Sequence, residues 1–111
     1  MALWVELNCR FQTAYAGTTP DDALVDAVYA YAEWCMRARR NAAAEHDPCT
    51  AATVAFYEHI PTIPAARQDM PRWLRPTDVV KLRDAFTYLI GNQEYDALLR
   101  FAPVPLSAFL N

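Results

Sequence analysis

Apolar residues recur along most of this chain at steps of three and four, the period of a helix with one buried face. Trp4, Leu7, Phe11 and the pair Ala14 and Tyr15 keep that step from the start. Gly17 follows them, where a helix can close in the left-handed conformation. These positions predict a first helix over 2–16. A second run opens at TTPDD. Thr19 stands at a capping position, and Pro20 takes the first helical position, where a missing N–H costs nothing. Asp21 and Asp22 set negative charge against the positive end of the helix dipole. Leu24, Val28, Tyr31, Cys35 and Ala42 then lie near one face, widened by Val25, Ala32 and Met36. The second helix is predicted from Pro20 to about Glu45, with a bend or break near Asn41.

His46, Asp47 and Pro48 interrupt the pattern, and Asp47 can cap a third helix over 48–59 with Pro48 at its first position. Ala52, Ala55, Phe56 and His59 share its inner side. Between 60 and 76 stand Pro61, Pro64, Pro71 and Pro76, which rule out one continuous helix. The stretch is long for a connection inside a bundle. It also carries Ile60, Ile63, Met70, Trp73 and Leu74, so it is predicted to pack back across the bundle, with short helical turns near 65–69 and 72–74. Val79, Leu82, Phe86, Leu89 and Ile90 form the stripe of a fourth helix that starts after Thr77 and is closed by Gly91. Asn92 can cap a fifth over 93–101, with Tyr95, Leu98 and Leu99 inward. After Pro103 and Pro105 the tail is apolar and is expected to dock on the body. The fold class predicted is all-α: a compact four- or five-helix bundle, one domain over 1–111, with a long Pro-rich connection between helices three and four.

Composition narrows the function classes. Hydrophobic residues make up 54%, with three Trp, six Tyr and five Phe, enough apolar area to offset the entropy of ordering. Glycine is limited to Gly17 and Gly91, so a phosphate cradle or a dinucleotide fingerprint cannot be built, and no cofactor is expected. Cys9, Cys35 and Cys49 are an odd, sparse set, unlike a disulfide-stapled secreted domain. They read as mostly buried free thiols in a reducing compartment. No apolar run reaches membrane-spanning length. Glu6, Asn8 and Arg10 interrupt the N-terminal segment, which therefore does not read as a signal peptide. A cytoplasmic protein with no membrane partner is expected.

The candidate chemistry is thin. Glu45, His46, Asp47 and Cys49, joined by Glu58 and His59, contain metal-ligating types but no CxxC or HExxH spacing. Asp47 and Pro48 already have a capping role, so no metal is expected. Cys49 is the one cysteine close in sequence to a histidine, and no third group completes a nucleophilic set. Asp22 and Asp26 lie four apart, the ordinary spacing of a solvated helix face. No catalytic residue is assigned, and the chain leans away from being an enzyme.

Charge and aromatic placement favour binding. The net charge is -3, distributed in alternating acidic and basic stretches. Such mixed surface suits protein partners more than nucleic acid, which wants a basic face. Arg37, Arg39 and Arg40 form one basic run, and RQDMPRWLR at 67–75 forms a second. Arg, Trp and Met are enriched at interfaces and dominate their energetics. The interface expected comprises Arg67, Met70, Arg72, Trp73 and Arg75 with Arg37 and Arg40. Tyr29, Tyr31, Trp34 and Tyr57 add aromatic area beyond what a small core needs, which points to a homodimer as well. The leading expectation is a small cytoplasmic protein-binding module, of an inhibitor or immunity type acting by complex formation. One alternative is a small-molecule-binding or enzymatic bundle, recognisable by an aromatic pocket that joins His46 or His59 to a carboxylate. Another is a nucleic-acid-contacting regulator, which requires both basic runs to merge into one patch.

Overall fold

The computed structural model describes residues 2–40, 43 and 47–101. Among them the chain forms six α-helices rather than four or five: α1 (Ala2–Ala14), α2 (Asp22–Arg37), α3 (Pro48–Ala52), α4 (Pro64–Asp69), α5 (Pro76–Lys81) and α6 (Arg83–Phe101). The extra helices arise because the proline-rich stretch is not a bare connection. Pro61, Pro64, Pro71 and Pro76 each sit in the first turn of a short helical piece, where the ring costs no hydrogen bond. A 3-10 turn at Ile60–Thr62 links α3 to α4, and another at Met70–Arg72 follows α4. The connector between the third and fourth helices thus contains a proline, as expected, and is built largely of a π-helical turn and a 3-10 turn.

α2 begins and ends differently from its pattern. The cap is Asp21, whose carboxylate accepts from the Leu24 amide at 3.3 Å, not Thr19. The helix stops at Arg37, with Ala38 extended at ψ 156, instead of running to Glu45. Arg37 is the last residue of the helix, and Arg39 and Arg40 lie beyond it. Arg40 reaches the Asp47 carboxylate at 2.9 Å, and that carboxylate is 1% exposed. A carboxylate so deep needs a cation and donors. Asp47 also accepts from the Thr50 amide and hydroxyl, which starts α3 as expected. The expected bend at Asn41, the inward Ala42 and the docked tail lie outside the described residues.

α3 passes into a π-helical turn at Thr53–Tyr57. The Asn8 side chain of α1 donates to the Ala55 carbonyl at 2.6 Å within that turn. The wider turn leaves Ala55, Phe56, Tyr57 and Glu58 all buried in succession, which a regular period would not predict. His59, expected on the inner side, is exposed. The stripe expected from Val79 to Ile90 is broken at Leu82, so Val79 and Phe86 are buried while Leu89 faces out. Gly91 does interrupt the helix that follows, at φ 81 and ψ 173.

The core is aromatic at its centre. Phe56 stacks on Trp4 at 5.5 Å and meets Phe11 and Tyr29 edge-on at 5.0 and 5.2 Å. Edge-to-face contacts place positive ring edges on negative faces and add to the burial itself. Val25, Val28 and Ala32 of α2 and Ala52 of α3 fill the space around them. Of the α1 positions that the period picked out, Trp4, Phe11 and Ala14 are buried, and Leu7 and the following Tyr15 are half-buried against the same cluster.

Candidate functional site

The stretch after α4 is fastened to the bundle through Asp69. Its Oδ2 accepts from the Tyr15 hydroxyl at 2.6 Å and from the Trp73 indole N–H at 2.9 Å. The Arg72 guanidinium bridges Asp69 to Asp22 at the start of α2. Burial alone would raise the Asp69 carboxyl. The Arg72 guanidinium, the Tyr15 hydroxyl and the Trp73 indole outweigh it and hold the group below the usual carboxylate range. Trp73 is also stacked on Tyr29, with ring centres 5.8 Å apart, and the Arg72 guanidinium lies 5.2 Å from its ring centre. The indole is therefore held at its N–H edge by Asp69, with Tyr29 and Arg72 against its ring.

Beside it opens a cleft of about 800 Å³. One wall is α2, with Asp26, Ala30, Glu33 and Arg37. The opposite wall is Arg75, Asp78 and Lys81, at and along α5. Tyr29, Tyr57 and Trp73 supply its aromatic lining. The π-helical turn is what brings Tyr57 there while Phe56 stays in the core. Burial and then the carboxylates of Glu33 and Asp78 push the Tyr57 hydroxyl up to about 12, so it is neutral at physiological pH. The Tyr29 hydroxyl is raised further, chiefly by burial. It is buried without a hydrogen-bond partner among the described residues. An unpaired buried hydroxyl is uncommon, because desolvating it costs free energy that a bond would recover.

The charges on the two walls are unequally engaged. Asp78 accepts from the Arg75 amide and guanidinium, closing the first turn of α5, and those bonds hold it below the usual range against the opposing effect of burial. Glu33 and Arg37 are 3.9 Å apart, an exposed pair too long for a hydrogen bond. Asp26 on α2 and Lys81 on α5 have no ion-pair partner among the described residues.

Of the interface residues expected, this cleft unites Arg37, Trp73 and Arg75. Arg67 and Met70 line a second, more apolar groove of about 480 Å³ with Pro71, Leu74 and Leu98. There Arg67 is paired with Glu94 at 2.9 Å, and Met70 is buried in the core. Arg72 is committed to Asp22 and Asp69, and Arg40 to Asp47. The two basic runs are thus divided among several places. His59 borders a hollow of about 160 Å³ with Asn8, Phe11 and Gln12, and no carboxylate lines it. His46 and Glu45 lie outside the described residues. Among those described, no three His, Cys, Asp or Glu side chains gather as a metal site.

The thiols divide as well. Cys35 is buried, Cys49 is half-buried with its thiol 3.8 Å from the Met36 sulfur, and Cys9 is exposed, so the set is less buried than expected. Cys9 sits on the outer face of α1, two residues before the buried Phe11. No helix among the described residues is long and apolar enough to cross a membrane. Sequence reasoning missed Asp26 and Lys81 as site residues, because single charges on helices carry no local signal; Tyr29 and Tyr57 were picked out only as surplus aromatics that could line a groove or a dimer face. Comparison of the chain with known protein families, with curated proteins and with solved structures finds no match.

Proposed function

We propose that the chain is a small cytoplasmic protein-binding module, acting by complex formation, and that the cleft between α2 and α5 receives its partner. The observation that carries this reading is the conjunction of Arg37, Trp73 and Arg75 along one cleft, with Tyr29 and Tyr57 buried behind it. Arg, Trp and Tyr are the side chains that most often dominate interface energetics. Trp73 is already fixed by Asp69 and Tyr29, so little side-chain entropy remains to be lost on binding. An inhibitor or immunity-type role is one form of this reading.

The test is affinity capture from native-host lysate with the wild-type chain and with Ala30→Arg. Ala30 is exposed on α2 and lines the cleft, so a long cationic side chain there obstructs the cleft without disturbing the core. Recovery of one stoichiometric protein by the wild type, and its loss with Ala30→Arg, supports the reading. Equal recovery by both chains moves the binding surface elsewhere, and recovery of the bait alone across growth conditions sinks it.

A further inference from the structure

The cleft is polarised across its width, and this deepens the protein-binding reading on which it rests. Asp26 and Lys81 are the charged lining residues without an ion pair among those described, and they stand on opposite walls. Arg75 and Asp78 neutralise each other by direct bonds, and Glu33 is only loosely opposed by Arg37. The α2 wall therefore carries the available negative charge and the α5 wall the available positive charge. Between them lie the buried rings of Tyr29 and Tyr57 and the half-buried ring of Trp73.

We infer that the cleft binds a zwitterionic segment of a partner protein, in which an arginine and an acidic residue lie close in sequence. The arginine takes the side of Asp26 and Glu33. Its planar guanidinium suits both carboxylate pairing and contact with an aromatic face. The acidic residue meets Lys81. A segment with only one sign of charge leaves one wall unsatisfied and meets like charge on the other, which gives the cleft its discrimination.

The experiment is an NMR titration of the full chain, following the Trp73 indole N–H, with three blocked tripeptides as probes: Arg-Gly-Glu, Arg-Gly-Gln and citrulline-Gly-Glu. The zwitterionic peptide should give a saturable shift. Removing either charge should weaken it about two- to fivefold, the range of exposed ion pairs. Lys81→Gln should abolish the preference for Glu over Gln, and Asp26→Asn should reduce the preference for Arg over citrulline. Both residues are exposed, so folding is not at stake. Equal affinities for the three peptides, or no saturable shift with any of them, overturns the inference. In that event, loss of the captured protein with Ala30→Arg still upholds the protein-binding reading, so the two failures are distinguishable.

Discussion

Tyr15 at the end of α1 and Asp69 at the end of α4 are 54 positions apart in sequence and joined by a 2.6 Å hydrogen bond. The same carboxylate holds Trp73, and through Arg72 it reaches Asp22 on α2. One side chain thereby ties α1, α2 and the segment that forms one side of the cleft.

Asp69→Ala removes the acceptor from three donors and leaves the Tyr15 hydroxyl and the Trp73 indole to be desolvated unpaired. The expected loss is about 2–4 kcal/mol in urea unfolding, with the cleft disordered as well. The Asp69 carboxyl is held low in the folded chain, so its contribution is present above the unfolded pKa of about 4 and is lost as pH falls through the folded value. The gap between wild type and Asp69→Ala should therefore narrow in acid. A gap that stays constant from pH 7 to pH 2 contradicts this account.

Phe56 and Trp34 provide a contrast between two large aromatics. Phe56 is 1% exposed at the meeting point of Trp4, Phe11 and Tyr29, and Phe56→Ala should cost about 3–5 kcal/mol. Trp34 is 58% exposed and stacks on Tyr31 alone among the described rings, so Trp34→Ala should cost about 1 kcal/mol or less. Denaturant midpoints of the two variants decide it.

The two glycines should also differ. Gly91 has φ 81, and a Cβ there meets nothing within 4 Å, so Gly91→Ala suffers from backbone strain alone, about 1–3 kcal/mol. Gly17 has no such φ, and a Cβ would lie 3.7 Å from the Thr19 carbonyl, ordinary contact. Gly17→Ala should be neutral to slightly stabilising, by up to about 1 kcal/mol. Thermal unfolding of both variants checks the pair.

Alkaline titration followed by tyrosine absorbance should be strongly cooperative. Tyr15, Tyr29 and Tyr57 are raised mainly by burial, and Tyr31 and Tyr95 in the same direction. A phenol raised in the folded state contributes stability that is complete below the unfolded value of about 10 and is lost as pH climbs toward the folded value. Ionisation of these residues should coincide with loss of helical circular dichroism. Smooth ionisation near pH 10 with the helices intact would falsify the burial assigned to them.

Several elements were legible from local pattern because their causes are local. The three- and four-residue step of Trp4, Phe11 and Ala14 marks a buried face whatever it packs against. Asp47 and Pro48 start α3 through bonds within a few residues, and Gly91 interrupts α6 because a helix cannot hold its φ. The six-helix count was not legible, since four prolines look alike whether they abolish a helix or begin a short one.

The sequence by itself determined an all-α chain with aromatic core residues and the gross places where helices stop, since periodicity, caps and glycine act over one or two turns. Only the tertiary structure showed that α2 ends at Arg37 and that Arg40, beyond it, meets the buried Asp47. It likewise decided which of the arginines meet. Arg37 and Arg75 share a cleft with Trp73, while Arg40, Arg67 and Arg72 are engaged elsewhere. Tyr29 and Tyr57 come to the same lining from different helical segments, one on α2 and one in a π-helical turn. Pairings between distant residues are set by how helices pack, and no local period encodes them.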